Sequence, residues 1–308
     1  MKKWVLGILI VLVGVGVYLY PNFVEWRLES MTNEVVSEVR DTIDRVREKN
    51  DVSEEVDKSE EDPDLTGLPE TYNDMVAYNE DLIKNGQELV DVWSYAETPV
   101  TISGIKEGEA IGYIEIPDMD VTLPLYIGAS EYNMSLGAAV MSETSMPVGG
   151  DNTNSVIVGH RGYSGAPYFR EIERLSVGSL VHINTLWDEM VYRACEIKII
   201  DPHDLDSILI QSGKDMVTLL TCHPYMSHGK QRYVVFCERV DVEWSEESEV
   251  GKIKKEVDTE DSNIKYGDVE NFESSEWVIE YERSLRIVIP VIMLGVLVIV
   301  CICRGKKR

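Results

Sequence analysis

Positive charge is scarce in this chain. Against 55 Asp and Glu there are 29 Lys and Arg, which leaves a net charge of −26 over 308 residues. Phosphate-backbone binding needs clustered bases, so nucleic acid is excluded as a partner. Zinc-ligand spacing is also lacking. His160, His182, His203, His223 and His228 fall into no such pattern, and Cys222-His223 is not a chelating pair. The acids from Asp201 to Asp206 do not follow the EF-hand order and read as exposed loop acids. No metal and no cofactor is therefore expected. An internal repeat is missing, and so is a small-x-small cleavage site after the first apolar run, where the chain reads Tyr18-Leu-Tyr-Pro-Asn22.

What is present starts at the two ends. Trp4 to Tyr20 and Ile287 to Cys303 are uncharged apolar runs of 17 residues each, at the short end of what spans a bilayer. Lys2-Lys3 flanks the first on its outer side and Arg304-Gly-Lys-Lys-Arg308 the second. The positive-inside rule then puts both tips in the cytoplasm and everything from Pro21 to Arg286 outside. The acidity is concentrated in two flanks. Residues 24–98 hold 22 acids and 7 bases, and residues 241–286 hold 15 and 6, the composition of solvated, self-repelling segments. Of the five cysteines, Cys301 and Cys303 lie in the second apolar run. Cys195 and Cys237 sit in apolar alternation and read as small hydrophobes, with a disulfide between them left open.

Leu28, Met31, Val35, Val39, Ile43 and Val46 recur at three- and four-residue spacing. That is one narrow apolar stripe on a long helix, suited to packing on a neighbouring helix or on another copy. Residues 50–64 are acid-rich and read as a linker. A second helix is expected from about Pro69, with Met75, Tyr78 and Leu82 on its apolar side and Asn85-Gly86 as its stop. From Gly112 the pattern becomes short β-rich runs, at 111–116, 120–126, 155–159, 179–184, 190–199, 216–221 and 232–240, as in a β-barrel or sandwich. Residues 166–175 read as a short helix with Phe169, Ile172 and Leu175 on one side.

Chemistry concentrates where three of these strands end. Thr218-Leu-Leu-Thr-Cys222 is a β run that stops at a cysteine, followed at once by His223-Pro224. A thiol at a strand end is held firmly yet open on one side, as a nucleophile requires. Arg232 opens the next strand, and His160 closes Ser155-Val-Ile-Val-Gly-His160. Nucleophile, proton carrier and fixed cation are what acyl transfer needs. His223 is set aside as the base, because adjacent strand residues face opposite sides.

This TLxTC motif, with a downstream strand arginine and an upstream histidine, resembles the sortases, cysteine transpeptidases of Gram-positive cell surfaces. Gly112-Tyr-Ile-Glu-Ile-Pro117, Val121 to Gly128, Thr144 to Gly150 and Gly159-His-Arg-Gly-Tyr163 extend the similarity from Gly112 to Val240. Its texture is closest to the pilin-polymerising class C group. The resemblance implies a closed barrel of about eight strands with short helices, preceded by N-terminal helices and with a transmembrane helix at each end. The implied division is a cytoplasmic tip at 1–3, spans at 4–20 and 287–303, and a basic tail at 304–308. Between the spans come a helical stalk, acidic linker and possible lid at 21–110, the catalytic barrel at 111–240 and an acidic linker at 241–286.

By the same resemblance Cys222, His160 and Arg232 are catalytic and Thr221 touches substrate. Asp91 and Trp93 stand where class C sortases carry a lid, although Val92 replaces the usual proline between them. His228-Gly-Lys-Gln231 departs from the family's Asn and His before the arginine. The implied partners are LPxTG-type surface proteins or pilins, an amine acceptor and membrane lipid. The acceptor is a pilin lysine for class C and a cell-wall peptide amine for an anchoring sortase. A bitopic scaffold that only binds peptides is the non-enzymatic alternative.

Overall fold

A computed structural model describes residues 2–52, 68–94, 100–163, 166–227, 229–240, 275, 277–286 and 288–290. The chain forms two compact units, Met1–Val269 and Glu270–Arg308. In the smaller unit residues 277–286 are helical, with Trp277 and Tyr281 exposed.

The larger unit is built on eight strands: β1 (Ala110–Ile116), β2 (Val121–Ile127), β3 (Ala138–Val140), β4 (Thr153–Val158), β5 (Leu180–Thr185), β6 (Glu189–Ile200), β7 (Asp215–His223) and β8 (Gln231–Arg239). They close in the order β1-β2-β3-β4-β7-β8-β6-β5. Among the described strands only β2–β3 and β4–β7 pair in parallel. Closure leaves no free sheet edge. The barrel core includes Tyr126, Met141, Val156, Val158, Leu220, Val234 and Phe236, all at most 2 % exposed.

Seven of these strands coincide with the β-rich runs. The eighth, β3, is a three-residue Ala-Ala-Val strand inside the connection 137–150, too short and too weakly β-prone to stand out. A six-residue helix, α3 (Glu131–Leu136), precedes it, capped by Ser130 Oγ accepting from Asn133 N at 3.2 Å. The helix expected at 166–175 is a series of turns with a 3-10 turn at Ile172–Arg174. Tyr168 has φ +42°, which no α-helix tolerates, while Phe169, Ile172 and Leu175 are buried as the pattern implied.

The first helix, α1, runs from Lys2 to Val52 and includes the first apolar run. Among the described residues no helix is long and apolar enough to cross a membrane. The second apolar run lies outside the described residues except for 288–290, as do most of both acidic linkers. The face of α1 that meets the barrel only partly matches the expected stripe: Val39, Ile43 and Val46 belong to it, but Met31 is exposed and Val36, outside the stripe, is buried. Val36 and Ile43 pack on Tyr113 of β1, and the Arg40 guanidinium stands 5.0 Å from the Tyr113 ring centre. Arg47 pairs with Glu189 at the start of β6 (3.4 Å), and Glu25 with Arg170 (3.5 Å). Those two contacts are 22 residues, about 33 Å of helix, apart, so α1 lies along the height of the barrel.

The second helix, α2 (Leu68–Asn85), buries Met75 and Leu82 and stops at Gly86, whose φ is +87°. Asn79 latches it to the barrel: Nδ2 donates to Met146 O (3.1 Å) and Oδ1 accepts from Met146 N (2.7 Å).

Candidate active site

Strand register assembles the site. Cys222 on β7 and Arg232 on β8 are cross-strand partners, and Val158 on β4 lies beside Leu220 in the parallel pair with β7. The chain beyond β4, Gly159-His160, therefore leaves the barrel at the same end as Cys222. Gly159 N donates to Leu220 O (3.3 Å) and Thr221 Oγ1 donates to Gly159 O (2.7 Å). Thr221, expected to touch substrate, is fully buried in this arrangement, and its hydroxyl ties the strand of Cys222 to the segment that carries His160. A Cβ on Gly159 would sit 3.0 Å from the Phe169 ring, a tight approach that the ring would have to yield to.

His160 is 9 % exposed, with its ring stacked on Tyr163 at 4.5 Å and edge-on to Tyr168 at 6.4 Å. Burial pushes its pKa down. The Cys222 thiol goes the other way, up to about 11. Burial is the main cause; Arg232 and Arg161 work against it and Asp91 adds to it. Burial thus disfavours the charged form of both side chains.

Arg232 is 3 % exposed and has its donors engaged. Nη1 donates to Gly229 O (2.6 Å) and Gln231 O (3.0 Å) and stands 3.9 Å from Cys222 Sγ. Nε and Nη2 reach Asp91 Oδ1 and Oδ2 at 2.9 and 2.8 Å, a bidentate fork. Trp93 stacks under the same guanidinium, 4.5 Å from its ring centre. Gly229, at φ +73°, is needed beside them, since a Cβ there would sit 3.0 Å from Sγ and 2.8 Å from Nη1.

The segment carrying Asp91 and Trp93 is moored at several points. Gln87 Nε2 donates to Glu143 O (2.8 Å), Gln87 Oε1 accepts from Ile210 N (2.8 Å), and Val92 is fully buried in the barrel core cluster. Valine at 92 thus serves as an apolar plug between two residues that both turn to Arg232.

Residues 114–240 match the sequence model of the Sortase domain. The crystal structure of sortase C from Streptococcus pneumoniae, described as informing catalysis and pilin substrate specificity, is 31 % identical. It aligns over 68 % of this chain and 97 % of that one with a TM-score of 0.56. The chain belongs to the sortase family. A Clostridium perfringens sortase C, solved with a C-terminal cell wall sorting motif, is 30 % identical with a TM-score of 0.54, over 67 % of this chain and all of that one. Sortase D of Bacillus subtilis is 28 % identical over 135 residues. That match takes in 43 % of this chain and 65 % of the relative, just under two thirds of its length. The solved neighbours are class C sortases, within a family of cysteine transpeptidases.

Other residues of this sortase were less legible. Cys195 and Cys237 are free thiols. A bulge between Ala194 and Glu196 leaves Cys195 out of the ladder and exposed, against the expectation of a buried small hydrophobe, whereas Cys237 is buried opposite Ala194. Arg161 and Glu173, both largely buried at the site end, were not anticipated. Both lie in the irregular chain after β4, where no strand or helix period marks a buried side.

Proposed function

We propose that this sortase is a membrane-anchored transpeptidase that cuts an LPxTG-like sorting signal between Thr and Gly and joins the Thr carbonyl to an amine. His160 takes the thiol proton as Cys222 Sγ attacks the carbonyl carbon, and Arg232 holds the oxygen as it gains charge. His160 then passes that proton to the departing Gly amine as the C–N bond breaks, leaving a thioester on Sγ. An incoming amine attacks the thioester and gives a proton to His160, which hands it to the leaving sulfur so that the thiol is restored. Thr221 serves from beneath by holding the His160 segment against β7. The observation that carries this reading is the cross-strand Cys222–Arg232 pair, with His160 two residues beyond the end of β4, the parallel neighbour of β7.

In the same reading Asp91 and Trp93 are a lid. The Asp91 carboxylate occupies the arms of Arg232 that a substrate oxygen would use, and its charge helps keep Cys222 protonated. The acceptor is a pilin lysine, a reading supported by the class C neighbours. Both apolar runs span the membrane, with both tips inside and the barrel outside. Glu25, five residues past the first run, pairs with Arg170, and Phe169 N, one residue before Arg170, donates to His160 O (3.0 Å). The reaction end of the barrel then faces the bilayer, where membrane-held substrates present their signals.

The test uses the full chain in detergent with a Leu-Pro-x-Thr-Gly peptide and two amines, a lysine-bearing pilin fragment and a wall-precursor peptide. Mass spectrometry is expected to find an acyl adduct on Cys222 and an isopeptide to the lysine. Joining to the wall peptide alone would reassign the acceptor. No adduct on Cys222 would end the transpeptidase reading.

A further inference from the structure

The residues that directly follow His160, Cys222 and Arg232 are Arg161, His223 and Tyr233, and they meet in one buried cluster. Exposure is 5 % for Arg161, 0 % for His223 and 4 % for Tyr233. Arg161 Nη1 lies 2.7 Å from His223 Nδ1 and donates to Cys222 O at 3.4 Å. Its Nη2 pairs with Glu173 Oε1, and its Cζ stands 5.8 Å from the Tyr233 ring centre. The His223 and Tyr233 rings are 5.6 Å apart. Guanidinium can only donate, so His223 Nδ1 is the acceptor and the neutral ring carries its proton on Nε2. The 3.4 Å approach of Nδ1 to Glu173 is then no ion pair. Consistently, the His223 pKa is depressed to about 4, by burial first and Arg161 second, against an opposing pull from Glu173.

On β7 and β8, strand alternation sends His223 and Tyr233 to the face opposite Cys222 and Arg232, and the chain after β4 brings Arg161 to them. The three bind one another instead of being separately packed. Arg161 touches all three segments, the extension of β4 through its own backbone, β7 through Cys222 O and His223, and β8 through Tyr233.

We propose that Arg161, His223 and Tyr233, neutralised by Glu173, form a brace that sets the positions of His160, Cys222 and Arg232 relative to one another. This rests on the reading of those three as the reaction site. The four are positioning residues: no substrate atom need touch them. A misplacement of about 1 Å between acid and nucleophile is enough to cost on the order of 10²-fold in rate.

The experiment uses the full chain in detergent. Arg161→Met with Glu173→Met removes both buried charges together at similar volume, so the barrel is expected to stay folded. The expected result is a melting temperature within a few degrees of the parent and a kcat about 10²-fold lower, with KM changed less than about threefold. The pH midpoint of Cys222 alkylation by iodoacetamide should rise, since of the charges facing the thiol (Arg232, Asp91 and Arg161) one cation is gone. Arg161→Lys should restore that midpoint but not kcat, because it returns the charge without the fork. A second pair keeps the test open if the double variant unfolds. His223→Asn keeps an acceptor for Arg161 and should hold kcat within about twofold, while His223→Leu should lose about tenfold. A folded double variant with parental kcat, or equal kcat in the Asn and Leu variants, would overturn the brace. Cys222→Ala is the control: activity surviving there would instead refute the site reading on which the brace rests.

Discussion

Asp91 grips Arg232 with both carboxylate oxygens, at 2.9 Å from Nε and 2.8 Å from Nη2, while the third nitrogen of the same guanidinium stands 3.9 Å from the Cys222 sulfur. The cation proposed to stabilise the developing oxyanion is therefore already matched to an anion. On the proposed mechanism substrate oxygen and Asp91 compete for one fork, and Asp91 raises the thiol's pKa while it stays. Apparent substrate affinity then scales with the fraction of molecules in which the fork is free.

Freeing that fork should activate the thiol. In Asp91→Ala both the competing carboxylate and its field on Cys222 disappear, so the thiol pKa should fall and alkylation at pH 7 should accelerate. Trp93→Ala separates lid from packing. A lid residue, on removal, speeds labelling by a bulky reagent. A packing residue costs about 3–5 kcal/mol of stability and leaves labelling unchanged. Unaltered labelling in both folded variants would end the lid assignment.

Truncating the three reaction residues should separate chemistry from folding. Cys222→Ala should remove the thioester altogether. His160→Ala and Arg232→Ala should each cost about 10²–10⁴-fold in transfer, the range for losing a general acid or an oxyanion donor. Arg232→Ala also releases Asp91, so its thiol should become more accessible even as transfer falls. Circular dichroism checks the fold, and a folded Arg232→Ala with full activity would remove Arg232 from the mechanism.

Acid should weaken the barrel through His223. Its folded pKa, about 4, lies below the ordinary 6.5, so the unfolded chain binds a proton that the folded one refuses between those values. The stability contributed is fully present above about pH 6.5 and is lost as pH falls towards 4. His223→Asn should flatten the dependence of unfolding free energy on pH in that window by up to one proton, about 1.4 kcal/mol per pH unit. Denaturant titrations at pH 7, 5.5 and 4.5 would show it, and parallel curves for parent and variant would refute it.

The barrel and its reaction end were legible because both depend on local patterns. Strand runs, turn residues and a cysteine at a strand end are written within ten or so residues of one another. What escaped depends on contacts between distant segments. β3 is three small residues whose strand character comes from lying between β2 and β4. The bulge that exposes Cys195 is a matter of register with β8, which no local window contains. Arg161 and Glu173 look like two surface charges until the turns after β4 bring them together behind the site. Asp91 was noticed by resemblance, yet its fork on Arg232 spans 141 positions of sequence.

The docking of α1 should matter for membrane-held substrates and not for free ones. Ile43 is 2 % exposed against Tyr113, and the helix touches the barrel near both ends, at Glu25–Arg170 by the reaction end and at Arg47–Glu189 by the other. Ile43→Asp puts a charge into that seam and should release the helix, while the barrel's closed ladder of strands remains. In detergent, transfer from a short sorting peptide should stay within about threefold of the parent, since no reaction residue moves. In liposomes, transfer from a substrate anchored by its own apolar segment should fall much further, because the height and direction of the Cys222 mouth above the bilayer are no longer fixed. Limited proteolysis within residues 28–47 should speed up in the same variant, which confirms that the helix has left the barrel. An equal loss in both assays would mean that α1 supports the fold of the site itself. No loss in either, with the helix demonstrably released, would mean that reach to the substrate is set elsewhere in the chain.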